Sequence, residues 1–446
     1  MRTRLLPPAG LSLVLLLSPL SSLTFPAPAR AQTTDARLDE VEKKLDAALA
    51  EIERLKLGAA APPESAMAPV SRHGFSPAAS RVYDLAAGTS MGGYGEMVIT
   101  RPDAKNSGDA PSGERPTIDL LRAVFYVGHK FTPSLLLNSE LEWEHAGVLD
   151  EVRVDPFASP PATLSGEATV EFAYLDWRVR PGFGLRAGKL LVPLGLVNEQ
   201  HEPPVFFGAQ RPSTEDVIIP STWTAAGAGA YGECDRLGLE WRAYLVEGLD
   251  ARGFDSEEAI RPGRQGSTEA LFTHPAVTGR LDWTGLGGLL LGVSGYTGDA
   301  WQIDQPLNMH IHARTSVGDV HGRWQWRGLE LRGLAVAGSV RDGDAIANAF
   351  VAPHEVPAHF SGSYAEAAYG LAPRLSPGAE WILTPYVRFE TFDTDRQRSP
   401  SASHVFLAGV TVGPHPNVVL KLDREQRTGA DGEEVGRWNA ALGWLF

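Results

Sequence analysis

Residues 436–446 read GRWNAALGWLF, and their side chains alternate between two faces. The apolar face consists of Trp438, Ala440, Leu442, Trp444 and Phe446. Successive side chains of a β-strand point to opposite sides, so this pattern predicts a strand with one apolar face. Aromatic residues near both ends of such a face are typical of a strand that crosses a membrane as part of a β-barrel.

Alternation of this kind recurs along most of the chain after residue 88. The connections between the alternating segments are short and long in turn, as in outer-membrane barrels with short periplasmic turns and long external loops. The sequence therefore predicts an all-β protein, an antiparallel transmembrane β-barrel of about 16 strands over residues 88–446. The predicted strands cover residues 90–100, 118–130, 135–146, 168–180, 184–191, 223–233, 237–247, 276–284, 288–298, 311–325, 328–340, 360–371, 380–391, 403–412, 417–427 and 436–446.

The face opposite the apolar one carries charges of both signs. In LLLNSELEWEHA (135–146) three glutamates alternate with apolar residues, and Arg122 on the preceding strand is their expected ion-pair partner. Charged side chains are costly against hydrocarbon, so the charged face is predicted to line the lumen. A barrel of this size is too wide for side chains to fill, which predicts an aqueous channel. The candidate lumen-wall residues are Arg122, Glu140, Glu142, Glu144, Arg178, Arg186, Arg242, Arg388, Glu390 and Lys421.

Residues 192–222 follow the fifth predicted strand and show neither strand nor helix periodicity. The stretch contains two phenylalanines and three prolines between 203 and 212, and it is too apolar for a disordered linker. Long loops are usually functional, and we expect this one to fold into the barrel and narrow the pore. Carboxylates at a constriction favour cations, whereas Arg or Lys favour anions. The alternative is that these charged residues anchor the loop to the barrel wall. The constriction candidates are Glu199, His201, Glu202, Arg211, Glu215 and Asp216.

The chain starts with the features of an exported protein. Two arginines precede the apolar run 11–23, and small residues surround position 31, which predicts a secretory signal peptide over residues 1–31. Residues 32–58 contain apolar residues spaced three and four apart, which predicts a coiled-coil segment. Residues 59–87 come next as a predicted linker, because their first part is rich in Ala and Pro.

The composition excludes several classes of function. The formal net charge of −14 argues against a nucleic-acid partner. Cys234 is the only cysteine, so the chain can form neither an internal disulfide nor a thiolate metal site. No G-x-S-x-G motif, phosphate loop or dinucleotide fingerprint occurs. The sequence therefore predicts no catalytic residue, no metal and no cofactor.

Several stretches resemble the phosphate-selective porin family (the O and P porins) and related outer-membrane porins. They are RAGKLLVPLGLVNEQHEPP (186–204), IIPSTW (218–223), SELEWEHA (139–146), VTGRLDW (277–283) and YVRFETFD (386–393). The resemblance implies a sixteen-stranded trimeric barrel, constricted by the loop after the fifth strand, and some relatives carry an N-terminal periplasmic coiled coil. The aromatic last residue, Phe446, resembles the C-terminal assembly signal of outer-membrane barrels. Phosphate selectivity is not carried over, because glutamates interleave with the arginines of the predicted wall.

Together these features predict a porin, not an enzyme: a diffusion channel for small hydrophilic solutes, with anionic solutes among the candidates. It is expected in the lipid of a bacterial outer membrane, as a homotrimer with its coiled coil in the periplasm. One alternative is a structural or anchoring barrel without an open pore. A less supported alternative is a barrel-borne lipid hydrolase, which would need a Ser/His pair that the sequence does not offer near the outer rim.

Overall fold

The computed structural model describes residues 74–147, 153–155, 162–164, 166–303, 311–349, 355–376, 378–397 and 402–446. The predicted signal peptide, the predicted coiled coil and residues 59–73 lie outside this described part, so the predictions for them stay predictions.

Most of the described residues lie in β-strands. The strands, numbered in chain order, are β1 Gly88–Pro102, β2 Thr117–Thr132, β3 Leu135–Glu144, β4 Arg153–Asp155, β5 Ala162–Leu164, β6 Glu167–Arg180, β7 Phe183–Leu191, β8 Thr224–Cys234, β9 Leu239–Val246, β10 Ala276–Leu286, β11 Leu289–Asp299, β12 Arg314–Trp326, β13 Leu329–Val340, β14 His359–Tyr369, β15 Ile382–Asp393, β16 Ala402–His415, β17 Val418–Thr428 and β18 Glu434–Leu445. The α-helices are α1 Arg81–Asp84, α2 Gly343–Asn348 and α3 Ala372–Leu375, and single 3-10 or π turns occur at Pro203–Val205, Thr214–Ile218, Ala251–Gly253 and Arg261–Gly263. None of these helices is long and apolar enough to cross a membrane.

Sixteen of the strands form a closed antiparallel barrel, and β4 pairs with β5 in a separate small sheet. The barrel closes between β1 and β18, where Tyr94 lies opposite Leu445 and Pro102 lies opposite Arg437. Phe446 completes the closure, because its backbone exchanges two hydrogen bonds with Gly93 at 3.0 and 3.1 Å. The predicted sixteen-stranded barrel is confirmed, and each predicted segment corresponds to one strand of it.

The two ends of the barrel differ in their connections. At one end, here called the short-turn end, two-residue turns such as 181–182 and 287–288 join neighbouring strands, and a longer turn after β14 contains α3. At the other end, the long-loop end, connections such as 192–223 and 247–275 are much longer. This is the alternation of outer-membrane barrels, in which the short turns face the periplasm.

The outer and inner faces of the wall follow the predicted alternation. On β6, Leu175 and Trp177 are 48% and 51% exposed, whereas Asp176 between them is fully buried. Tryptophans also mark both rims of the outer face: Trp143 and Trp438 lie near the long-loop end, and Trp326 lies near the short-turn end. Apolar residues therefore cover the outside, as contact with lipid requires, and charged residues point inward.

Candidate functional site

The candidate site is the barrel interior, which two pieces of chain enter. The first is residues 74–84, here called the N-terminal segment. It lies inside the barrel near the short-turn end, where the Tyr83 hydroxyl donates to Asp176 Oδ2 at 2.9 Å. Asn138 Nδ2 donates to the Ala79 carbonyl at 2.9 Å, and Lys130 Nζ donates to the Tyr83 carbonyl at 2.9 Å.

Within the predicted linker over 59–87, residues 75–83 therefore pack inside the barrel. The reason is that the segment carries enough apolar surface to be buried in the barrel, namely Phe75, Ala78, Ala79, Val82 and Tyr83. Sequence reasoning missed this because the five apolar residues, at positions 75, 78, 79, 82 and 83, have the spacing of one helix face, and that spacing does not identify their burial partner.

An aromatic cluster holds the N-terminal segment against the wall. The ring centroid of Phe75 lies 5.5 Å from that of Tyr174 and 5.8 Å from that of Phe172. The Arg186 guanidinium lies 4.7 Å from the Phe75 ring centroid, a cation–π distance. Arg186, a predicted wall residue, also donates from Nε to Asp176 Oδ2 at 2.7 Å. Its charge is thus paired inside the barrel.

The second piece of chain is loop 192–222, which enters from the long-loop end and crosses the lumen. On the far side, Lys421 Nζ donates to the carbonyls of Phe206 and Gly208 at 2.8 and 2.9 Å. The backbone N–H of Ala209 donates to Asp423 Oδ2 at 2.8 Å. Gly443 on β18 faces the loop, because a Cβ added there would come 2.5 Å from Pro203 Cβ. These contacts hold residues 206–209 of the loop against β17.

The middle of the loop is bound to β14 and β15. Glu215, buried, accepts from the Val197 N–H at 2.7 Å and from the Tyr364 hydroxyl at 2.6 Å. The Thr214 N–H donates to Glu390 Oε2 at 3.0 Å, and Glu390 is paired with Arg388 at 2.8 Å. Of the two predicted wall residues of β15, Glu390 therefore binds the loop and Arg388 pairs with Glu390.

The near side of the loop contacts β3, β9 and β10. Glu199 is paired with Arg242 at 3.2 Å. His201 Nε2 lies 3.1 Å from Glu140 Oε1, and Arg211 donates to the His201 carbonyl at 3.3 Å. Burial, together with the nearby Arg211 charge, lowers the pKa of His201 to about 3, so its ring is neutral at physiological pH.

The loop and the N-terminal segment meet at Glu202. Its carboxyl oxygens accept from the backbone N–H of Ala78 at 3.1 and 3.3 Å and from that of Ala79 at 3.1 Å. Burial raises the pKa of Glu202 to about 8, although the two backbone N–H groups act in the opposite direction. The nearby Glu140 also raises the Glu202 pKa. This contact connects the two internal pieces of chain.

A second buried network supports the start of the loop, and sequence reasoning named none of its wall residues. Arg280 donates to the Gly195 carbonyl and, from Nε, to Asp282 Oδ2 at 2.7 Å. His321 lies between two carboxylates, 2.6 Å from Asp319 Oδ1 and 3.0 Å from Asp282 Oδ1. The same period-two pattern in VTGRLDW would have found Arg280 and Asp282, because both lie on its inward face.

The remaining predicted residues have other partners. Arg122 is paired with Glu142 at 2.9 Å and Glu144 at 3.1 Å, as expected, and also with Glu96 at 3.2 Å. Asp216 is paired with Arg261 of the 247–275 loop at 3.0 Å. Arg178 lies apart from the loop at the short-turn end, where it donates to the Pro133 carbonyl at 3.1 Å.

The interior is closed at the level of the loop. Inward charged side chains on opposite parts of the wall, among them Glu140, Glu330 and Glu390, have no accessible surface, and Arg186 and Arg388 are 2% exposed. The sequence predicted an aqueous channel because wall side chains cannot fill so wide a barrel. In the described residues the loop and the N-terminal segment fill that space, and many of the buried charged groups have ion-pair or hydrogen-bond partners. Loop 192–222 therefore both anchors to the wall, as the alternative interpretation had it, and occupies the lumen.

A polar cavity with a volume of about 350 Å³ lies beside the loop, toward the long-loop end. We call it the mixed-charge cavity. Its charged lining residues are Arg122, Glu142, Glu144, Glu167, Glu171, Lys189, Arg261 and Arg264. Arg264 donates from Nη1 to the carbonyls of Pro220 and Thr222 at 2.8 and 2.6 Å. Burial and the adjacent Arg261 lower the pKa of Arg264 to about 10, which leaves it charged at physiological pH.

The described residues offer little for catalysis or metal binding. They contain no group of three or more His, Cys, Asp or Glu that could hold a metal ion. Ser294 and His321 are both near Asp319, but the serine hydroxyl bonds to Asp319 rather than to the His321 ring. A serine is activated as a nucleophile by a base within hydrogen-bond reach, and this arrangement does not provide one.

Solved structures share this fold. OmpF of Salmonella typhi, in complex with daunomycin, matches with a TM-score of 0.50 and 11% identity over 81% of this chain and 98% of that chain. The outer membrane channel DcaP of Acinetobacter baumannii matches with a TM-score of 0.48 and 10% identity over 85% and 100% of the two chains. The anion-selective porin from Comamonas acidovorans matches with a TM-score of 0.48 and 9% identity over 81% and 100%.

The closed sixteen-stranded wall and the OmpF likeness define the class of this fold, a closed sixteen-stranded antiparallel β-barrel like that of outer-membrane proteins. No family model matches the chain. An uncharacterized protein of Aquifex aeolicus (strain VF5) is 34% identical over 390 residues, which cover 84% of this chain and 83% of that protein. The chain therefore belongs to the same family as this Aquifex protein.

Proposed function

We propose that this protein is an outer-membrane porin, a channel for small hydrophilic solutes that opens when its internal pieces of chain move. The observation that carries the proposal is loop 192–222, which lies across the lumen of a barrel whose inner wall is charged all around. The loop is held by polar contacts from Lys421, Glu390 and Arg242, so its displacement would expose a wet, charged passage. Such a passage suits hydrophilic solutes.

In this proposal the protein is not an enzyme and acts in the outer membrane of a bacterium, with the predicted coiled coil in the periplasm. A homotrimer is part of the proposal, since the resemblance to trimeric porins implies it. Selectivity for phosphate is not proposed, because buried arginines of the wall are paired with glutamates or aspartates.

A second candidate is a structural or anchoring barrel that never conducts. The closed interior favours it, since the inward charges near the loop are buried and paired. The two candidates predict different conductance once the interior is loosened. A porin should conduct when its internal pieces of chain are displaced, whereas an anchoring barrel has no need of a passage.

The test is the conductance of the purified full chain in a planar bilayer, with a salt gradient across it. The reversal potential gives the ion preference, and steps in groups of three indicate a trimer of channels. A variant that lacks residues 74–84 serves as the loosened form, because it removes one internal piece of chain and frees the loop at Glu202. Conductance from either protein supports the porin. Absence of conductance from both, with correctly folded barrels, overturns the porin in favour of the anchoring barrel.

A further inference from the structure

The mixed-charge cavity has its charges arranged by sign. Four carboxylates lie on the adjacent strands β3 and β6, namely Glu142, Glu144, Glu167 and Glu171. Two of the four cations, Arg261 and Arg264, come from the 247–275 loop, which forms another side of the cavity. The other two cations are Arg122 on β2 and Lys189 on β7. The lining thus carries four charges of each sign, and Pro262 is its one apolar side chain among the described residues.

Two local distortions of the wall bring charges into this cavity. Glu140 lies opposite Phe172 and the next residue, Leu141, lies opposite Val170, so Glu171 is the extra residue of a β-bulge. A bulge re-aims side chains, and here Glu171 lines the cavity although Phe172 beside it also points inward. On β7, Gly188 has φ +139°, a conformation that favours glycine, and Lys189 follows it.

The charges of the cavity differ in whether the protein already pairs them. Glu142 and Glu144 are neutralised by Arg122 at 2.9 and 3.1 Å. The side chains of Glu171 and Lys189, by contrast, are not within hydrogen-bond or ion-pair distance of any described residue, and Lys189 and Arg264 lie near enough to Glu171 to interact with it only through space. Arg264 bonds to carbonyl oxygens rather than to a carboxylate, so its charge is oriented but not neutralised. Groups of both signs are therefore available to a ligand.

We propose that the mixed-charge cavity binds a small zwitterion, an amino acid or short peptide with free ends. The ammonium group lies against Glu171, and the carboxylate lies against Lys189 and Arg264. A lining with four charges of each sign favours a solute that carries both a positive and a negative group. A solute with a single charge can pair only with the lining charges of the opposite sign. A volume of about 350 Å³ suits a solute of this size, and the polar lining suits a hydrophilic one. The inference rests on the proposed function in one respect: if the protein is a porin, the bound zwitterion is a solute that it transports.

The test is calorimetric titration of the detergent-solubilised full chain with glycylglycine. N-acetylglycine, which lacks the ammonium group, and glycinamide, which lacks the carboxylate, are the single-charge probes. We expect glycylglycine to bind at least about tenfold more tightly than either probe, a difference of about 1.4 kcal/mol, because each probe loses one charge-assisted hydrogen bond. Glu171→Gln should abolish the preference over N-acetylglycine, and Lys189→Gln should abolish the preference over glycinamide.

Two exposed residues outside the cavity provide matched controls. Glu233→Gln and Lys105→Gln remove the same charges at the short-turn end and in the loop after β1, and both should leave all affinities unchanged. Equal affinity for the three probes, or no binding of glycylglycine, would overturn the zwitterion site. Conductance of the same preparations is recorded in parallel. Conductance without zwitterion preference overturns this inference alone, whereas binding without conductance overturns the porin alone.

Discussion

The contact of the N-terminal segment with the wall can be weakened by one substitution, Phe75→Ala. Phe75 is 2% exposed, and its ring contacts Tyr174, Phe172 and the Arg186 guanidinium. Truncating a buried phenylalanine costs about 3–5 kcal/mol. If the segment is released without unfolding of the barrel, this free energy is lost from the docking of the segment on the wall. A factor of ten in an equilibrium constant corresponds to about 1.4 kcal/mol, so the substitution shifts the docking equilibrium toward the released state by about 10²–10³ or more.

Other contacts of the segment remain in this variant, so release should be partial. The hydrogen bonds from Asn138 and those to Glu202 are each worth about 0.5–1.5 kcal/mol, and the bond from the charged Lys130 is worth about 1.5–3 kcal/mol. We therefore expect more frequent or longer openings from Phe75→Ala, and a permanently larger conductance from deletion of residues 74–84. Both are measured in planar bilayers against the unmodified chain.

The control is Phe272→Ala, because Phe272 is 58% exposed in the 247–275 loop and its truncation leaves the interior unchanged. Folding of every variant is checked by the shift in electrophoretic mobility on heating, which reports a closed barrel. If the deletion variant folds as a barrel and conducts no more than the unmodified chain, the N-terminal segment does not close the passage, and the reasoning is refuted.

Three further predictions concern charge, pH and barrel closure. Asp176→Asn leaves Arg186 buried without its carboxylate and should destabilise the barrel by about 3–5 kcal/mol, seen as a lower urea midpoint; an unchanged midpoint would contradict this. When the N-terminal segment is docked, the pKa of Glu202 is about 8, above its ordinary value of 4.5. The protonated carboxyl therefore favours docking of the segment, and this contribution is fully present below pH 4.5. It falls by up to about 1.4 kcal/mol per pH unit as the pH rises toward 8. Conductance should therefore increase from pH 5 to pH 8, and Glu202→Gln should flatten that profile; a profile unaffected by the substitution would count against the contact. Deletion of Phe446 removes its two backbone bonds to Gly93 and should slow barrel closure in refolding experiments, whereas Phe446→Tyr should close at the normal rate.

The wall of this protein was predictable because the information is local. A strand places every second side chain on the same face, so GRWNAALGWLF and fifteen other segments each disclose a lipid face and a lumen face. The alternation of short and long connections then gives the closed barrel. The same rule placed Arg186, Arg388 and Lys421 inside, where the structure has them.

What fills the lumen was decided by the tertiary structure. Residues 74–84 have no period that relates them to Tyr174 or Asp176, which lie about ninety residues later in the chain, and their burial depends on a surface that exists only once the barrel closes. Glu202 likewise looked like a constriction carboxylate, yet its partners are the N–H groups of Ala78 and Ala79. The sequence alone thus determined the barrel and its charged wall, since strand periodicity is a property of neighbours in the chain. The closing of the lumen and the mixed-charge cavity depend on contacts between segments far apart in the sequence, which only the folded chain brings together.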